Sequence, residues 1–155
     1  MARYRVSGTT VATAATDQHA ICALWNASTT KTIICRELSV VAFAAPGAGA
    51  GFLVRRISAR GTAGSTVTTA AVHETDDDPG TNPVSGFLLD LAAYSVQPTL
   101  IAGDLDAWVF AAVTASGIVK PYPEGIAIGP GRGLALVNRA AIAFPTSEVA
   151  FLTEE

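Results

Sequence analysis

Apolar residues in this chain come in short runs, and their dominant period is two. Ala20, Cys22 and Leu24 alternate with Ile21, Ala23 and Trp25. Ile33 and Cys35 alternate with Thr32 and Ile34, and Phe52 and Val54 alternate with Leu53, Arg55 and Ile57. Gly, Pro, Asn and Asp punctuate the runs at close to the 8–12-residue spacing that marks sandwiches and barrels. The pattern predicts strands over 9–15, 19–25, 32–44, 51–59, 65–73, 107–114, 125–128, 133–138 and 148–153. Helical periodicity is weak. At 86–95, Leu88, Leu89, Leu91, Ala92 and Ala93 fit one face of a helix, a buried strand or an apolar loop.

Residues 19–38 read as a hairpin whose turn is centred between Ser28 and Thr29. That register pairs Leu24 with Ile33 and Trp25 with Thr32, and it sets Cys22 opposite Cys35. Facing Cβ atoms on an antiparallel pair lie about 4.5–5.5 Å apart, wider than the roughly 3.8 Å of a disulfide. Neighbouring but reduced thiols are therefore expected. Beyond them, Leu38, Val40 and Ala42 lie on the opposite parity from Ile33 and Cys35, which predicts a bulge near Arg36-Glu37 and a long strand shared between two sheets. The 51–59 strand is only loosely amphipathic, as expected if something covers its outer face.

A chain of 155 residues is about one domain's worth. Its composition narrows the function classes. It is 50% hydrophobic and 15% charged, with mean hydropathy +0.39. The charged share is well below the roughly 25% of an average domain, so a lone copy exposes much uncharged surface. A net charge of −3, with Lys31 and Lys120 the only lysines, argues against nucleic-acid binding. No run approaches the roughly 20 apolar residues of a membrane span. The two arginines at the N-terminus have no apolar run behind them, so no signal peptide is expected.

Site chemistry is sparse. His19 and His73 lack a clustered second ligand, so a cupin-like metal centre is disfavoured, and neither a Gly-x-Ser-x-Gly elbow nor Ser-x-x-Lys occurs. Glycine-rich Ala45–Gly51 precedes a strand rather than a helix, unlike a dinucleotide fingerprint, and lacks the Lys-Ser/Thr ending of a P-loop. Gly129-Pro130-Gly131-Arg132-Gly133 reads as a tight turn. No enzyme activity, metal or cofactor is expected. The one charge cluster is Glu74-Thr75-Asp76-Asp77-Asp78, which reads as a solvated loop. Arg55, Arg56 and Arg60 could pair with it within or between subunits, which makes Arg55, Arg56, Asp76, Asp77 and Asp78 candidate subunit contacts.

Several short motifs carry a resemblance. Ile21-Cys22-Ala23-Leu24-Trp25-Asn26-Ala27-Ser28 is followed by Lys31-Thr32-Ile33-Ile34 and Leu38-Ser39-Val40. Further on come Ile128-Gly129-Pro130-Gly131-Arg132-Gly133-Leu134-Ala135-Leu136 and the closing Phe151-Leu152-Thr153-Glu154-Glu155. In these the chain resembles the small tumour-necrosis-factor-like decoration or cement proteins of tailed-bacteriophage virions. The resemblance implies an all-β, antiparallel β-sandwich of jelly-roll type with at most one short helix. On this reading it is one domain over 1–155 with a short N-terminal arm at about 1–8. It also implies a non-catalytic virion protein, made in the host cytoplasm, whose partners are itself as a dimer or trimer and the major capsid protein. The rival is a ligand- or carbohydrate-binding jelly roll of a phage tail or fibre, which needs an exposed aromatic platform; Trp25, Trp108, Tyr94 and Tyr122 are the residues able to form one.

Overall fold

The computed structural model describes residues 3–68, 73–74, 86–112 and 116–155. The described residues form β1 (Arg3–Thr10), β2 (Ala20–Asn26), β3 (Ile33–Ala42), β4 (Gly51–Ala59), β5 (Ser65–Val67), β6 (His73–Glu74), β7 (Leu88–Leu91), β8 (Thr99–Val109), β9 (Gly117–Ile128), β10 (Arg132–Asn138) and β11 (Ser147–Glu154), and no helix. The first sheet runs β6-β1-β11-β3-β9 and the second β5-β7-β2-β10-β4-β8, with every pairing antiparallel.

Four pairings explain the architecture: β1 with β11, β2 with β10, β3 with β9, and β4 with β8. The chain is one long antiparallel ribbon, rolled so that successive pairs fall in alternate sheets. The β11–β3 and β10–β4 ladders then join the pairs within each sheet. This is an antiparallel β-sandwich with the jelly-roll connectivity that the resemblance implies.

Alternation decides what lies between the sheets. Tyr4 and Val6, Cys22 and Leu24, Phe52 and Val54, Leu134 and Leu136, and Val149 and Phe151 all enter one buried cluster. Phe52, Phe110 and Phe144 pack ring to ring at one end, with centroids 4.2–5.3 Å apart. The bulge falls at Arg36, where both ladders of β3 skip a residue. It keeps Ile33 and Cys35, as well as Leu38, Val40 and Ala42, in the same core. The parity slip thus returns one strand to one core, and β3 stays in the first sheet.

Expectations about the N-terminal arm, the first hairpin and the strand bounds are corrected. The predicted N-terminal arm is a full strand from Arg3 on, lying between β6 and β11, because Tyr4 and Val6 alternate with Arg3 and Arg5 and find β11 as a neighbour. Residues 19–38 are not a hairpin: β2 lies in the second sheet and β3 in the first, and the residues between them cross from one to the other. Cys22 and Cys35 are therefore not ladder partners. Both are buried and free, facing the core from opposite sheets. Finally, β8 and β9 extend well before their expected starts, through Gly103, Asp104 and Asp106 and through Pro121 and Pro123. Both are edge strands, where missing donors and bulges cost little. Residues 86–95 contain strand β7 rather than a helix, the predicted 65–73 strand appears as β5 and β6 with 69–72 outside the described residues, and the first predicted strand ends at Thr10 rather than Ala15.

The two main motifs behind the resemblance meet at one corner. Asn26, fully buried, donates from Nδ2 to the carbonyls of Lys31 (2.8 Å) and Ile128 (2.9 Å), and its Oδ1 accepts from Ser28 N–H (3.0 Å). Gly131 N–H in turn donates to the Asn26 carbonyl (3.1 Å). One side chain thus ties the β2–β3 crossover to the tight β9–β10 turn. Gly131 there has φ +60°, and a Cβ on Gly133 would collide with the Leu24 carbonyl oxygen, which explains the glycines of that turn.

Candidate functional site

The outer faces of the two sheets differ in kind. On the second sheet, Ala20, Ala23, Leu53, Ile57, Ala135 and Val137 point away from the main core and are nonetheless buried, under Trp25, Tyr94 and Leu100. The segment after β7 provides this cover. Gln97 Oε1 accepts from Ala20 N–H (2.8 Å), Tyr94 Oη donates to the Asp90 carbonyl (3.1 Å), and Val96 bridges to Thr62. Burial pushes the Tyr94 phenol well above its ordinary range. The chain itself is what covers the loosely amphipathic β4. A cavity of about 70 Å³ remains at the margin, lined by Thr13, His19, Tyr94 and Gln97 among others.

The first sheet has no such cover among the described residues. Its registers place outward positions in rows across β1, β11, β3 and β9. One row is Thr9, Glu148, Val41 and Gly117; the next is Ser7, Ala150, Ser39 and Val119; the third is Arg5, Leu152, Glu37 and Pro121. The middle row is short side chains apart from Val119, which is 59% exposed, and Val41 beside it is 43% exposed. Phe43, just beyond Val41, is 56% exposed. A solvated antiparallel face normally alternates charged and polar residues outward, whereas this one presents mostly Ser, Thr, Ala, Gly, Val, Leu and Pro.

A charged clamp closes one end of that face. Glu154, nearly buried, accepts from Arg3 Nε (2.7 Å) and Arg36 Nε (2.6 Å), and Arg36 Nη1 also donates to the Pro123 carbonyl (2.8 Å). The two guanidiniums, Arg36 foremost, hold the Glu154 carboxyl below its ordinary range. Beside it opens a groove of about 390 Å³ lined by Arg3, Arg36, Pro121, Tyr122, Pro123 and Leu152. The clamp fastens the first strand, the last strand and the β3 bulge together.

Of the residues singled out from sequence, Arg55 pairs with Asp104 and Gln18, and Arg56 donates to the Ala127 carbonyl (2.6 Å). Arg60 forms a bidentate pair with fully buried Asp90 (2.6 Å each), which also accepts from Thr66 Oγ1. Arg55, Arg56 and Arg60 thus have partners within the described residues, while most of the acidic run expected to pair with them lies outside those residues. Asp76, Asp77 and Asp78 lie outside the described residues. Sequence reasoning missed Glu154 and Arg36, although the bulge predicted at Arg36 marked the place where a side chain leaves the ladder.

Trp25, Tyr94, Trp108 and Tyr122 are all at least partly buried, and Tyr122 Oη reaches Asp106 (3.4 Å). Trp108 packs edge-on against Phe52, and each of the four rings is part-buried rather than standing free in solvent. Among the described residues no group of three His, Cys, Asp or Glu side chains could hold a metal ion. Comparison of the chain with protein-family models, curated proteins and solved structures finds no match in any of the three.

Proposed function

We propose that this protein is a non-catalytic structural component of a virion, most consistent with a capsid decoration or cement protein that binds and stabilises the shell as a homo-oligomer. The observation that carries the reading is the contrast between the two outer sheet faces. The chain covers one with its own segment, whereas among the described residues nothing covers the other, whose outward rows are mostly short and uncharged apart from Arg5, Glu37 and Glu148. Uncovered surface of that kind belongs to proteins that share it with neighbours. The jelly-roll topology and the corner built on Asn26 and Gly131 support it further, since they give a physical role to the motifs that resemble the phage decoration proteins.

The test is compositional and mechanical. Virions from the system that encodes this chain are purified and the copy number of the protein per particle is measured by mass spectrometry. Particles assembled without it are then heated alongside the complete ones. Stoichiometric occupancy and a lower disruption temperature in its absence are expected. Absence from purified particles, or unchanged stability without it, overturns the reading.

A further inference from the structure

We infer that the protein seats on an uncharged surface of the shell through one end of the sandwich, the end away from Arg3 and Glu154. The inference rests on the reading of the protein as a shell component and names the surface that meets the shell.

The registers gather four connections at this end. Strands β1, β3, β8 and β10 finish there, and β2, β4, β9 and β11 start there. Residues 11–19, 43–50, 139–146 and the described 110–112 therefore lie together. Their titratable side chains are Asp17, His19 and Arg139, all beside second-sheet strands at the margin. The remainder is mostly Ala, Gly and Thr, from which Val11 and Phe43 stand out, 51% and 56% exposed. Phe43 is the most exposed aromatic ring among the described residues. Val41 of the first sheet and Val109 of the second add apolar area at the rim.

This surface is held in shape before any partner arrives. Asn138 Nδ2 donates to the carbonyls of Ala14 (3.1 Å) and Thr16 (3.2 Å). Thr13 N–H donates to the Phe144 carbonyl (2.9 Å), and Phe144 N–H donates to Thr13 Oγ1 (3.0 Å). The rings of Phe110 and Phe144 plug their loops into the core against Phe52. Docking through a preorganised surface loses little loop entropy.

Charge selects the kind of partner. Nucleic acid and anionic lipid both call for clustered cations, and Arg139 is the one arginine or lysine among the described residues of this end. The other sides of the molecule carry charges that docking would strip of water. These are Arg5, Glu37 and Glu148 on the first sheet, Arg55 and Asp104 on the second, and Lys31, Arg60 and Arg132 at the far end. Area sets the valence. Two sheets about 10 Å apart, each four strands wide at about 4.8 Å, give an end of roughly 20 by 20 Å. That is about half of the roughly 800 Å² per partner in a standard interface. Two copies placed end to end would hold weakly, whereas an oligomer setting several ends on one repeating surface holds well.

Particles assembled without the protein are mixed with purified wild type or single variants, and bound copies are counted after pelleting. Phe43→Glu and Ala141→Glu alter the proposed end, Thr29→Glu the far end, Val96→Glu the second-sheet side and Val119→Glu the first-sheet face. All five positions are exposed, and circular dichroism checks that each variant is folded. Phe43→Glu and Ala141→Glu should each lower occupancy at least about 10-fold, while Thr29→Glu and Val96→Glu bind as wild type does. Binding by Phe43→Glu and Ala141→Glu equal to wild type overturns the inference and leaves the virion reading standing. Loss with Val119→Glu alone also overturns it, by putting the contact on the sheet face. So does a tight wild-type dimer in sedimentation that Phe43→Glu dissolves. Wild type that never binds particles sinks the virion reading, and this inference with it.

Discussion

Replacing Asn26 by Ala tests whether the corner between the sheets holds the fold. The substitution removes three hydrogen bonds, at about 1 kcal/mol net each. The bond to Ile128 is buried on both sides, so its loss falls at the upper end of that range. The total is about 3–4 kcal/mol. For a chain of this size that is roughly 2–4 °C per kcal/mol, a fall of about 6–16 °C in Tm. Urea and thermal unfolding at a fixed protein concentration measure it, with exposed Thr29→Ala as a control expected to change stability by less than about 0.5 kcal/mol. Asn26→Asp sharpens the test, because a carboxylate would face two carbonyl oxygens in a buried site. Its folded-state pKa would be raised above the unfolded value near 4. The neutral form is then the stable one, so the Asp variant is least impaired below about pH 4 and worsens as pH rises through the folded pKa. A loss under about 1 kcal/mol for Asn26→Ala, or an Asp variant whose deficit does not grow with pH, would refute the corner's role.

Three further outcomes are expected. Arg60→Ala should cost about 3–5 kcal/mol by stranding the buried Asp90 carboxylate, and more than Asp90→Ala, which leaves a guanidinium able to reach water; equal losses in chemical denaturation would contradict this. Because Arg36 and Arg3 depress the Glu154 carboxyl, its contribution is complete above the ordinary carboxylate range and is lost as pH falls through the folded value. Glu154→Gln should therefore flatten the acid limb of a stability-against-pH curve while leaving its alkaline limb unchanged. Burial pushes the Cys22 and Cys35 thiols up to about 12, so a thiol reagent at pH 8 should label them only at the rate of unfolding; fast labelling of native protein would show an opening the fold does not contain.

The features legible in the sequence were those set by alternation within one strand. Phe52 and Val54 against Leu53 and Ile57 sort onto the faces their parity predicts, and the slip between Cys35 and Leu38 locates the bulge at Arg36. Pairing was not legible in the same way. The linker after Asn26 is long enough for a wide hairpin or for a crossing between sheets, and alternation within β2 and β3 is identical in either case. What decides between them is the distant β10 and β11, which offer each strand a better neighbour than the local one. Edge strands were hidden for a different reason. β8 and β9 carry Gly, Asp and Pro that would argue against a central strand, and the rule that permits them at an edge can be applied only once the edge is known. The candidate surface was visible only as a shortage of charge. Its location needed the registers that bring Ser7, Ala150 and Ser39 into one row.

The rolled ribbon also orders events in time. Arg3 and Glu154 are ladder partners separated by 151 positions, and β11 lies between β1 and β3 in the centre of its sheet. During synthesis, β1 and β3 emerge early yet share no ladder until β11 has left the ribosome. Until β11 emerges, the growing chain therefore carries two unmatched strand edges, a state in which strand exchange with a neighbouring nascent chain competes with closure. Removing the final strand would not trim this sandwich from its margin; it would split the first sheet down the middle.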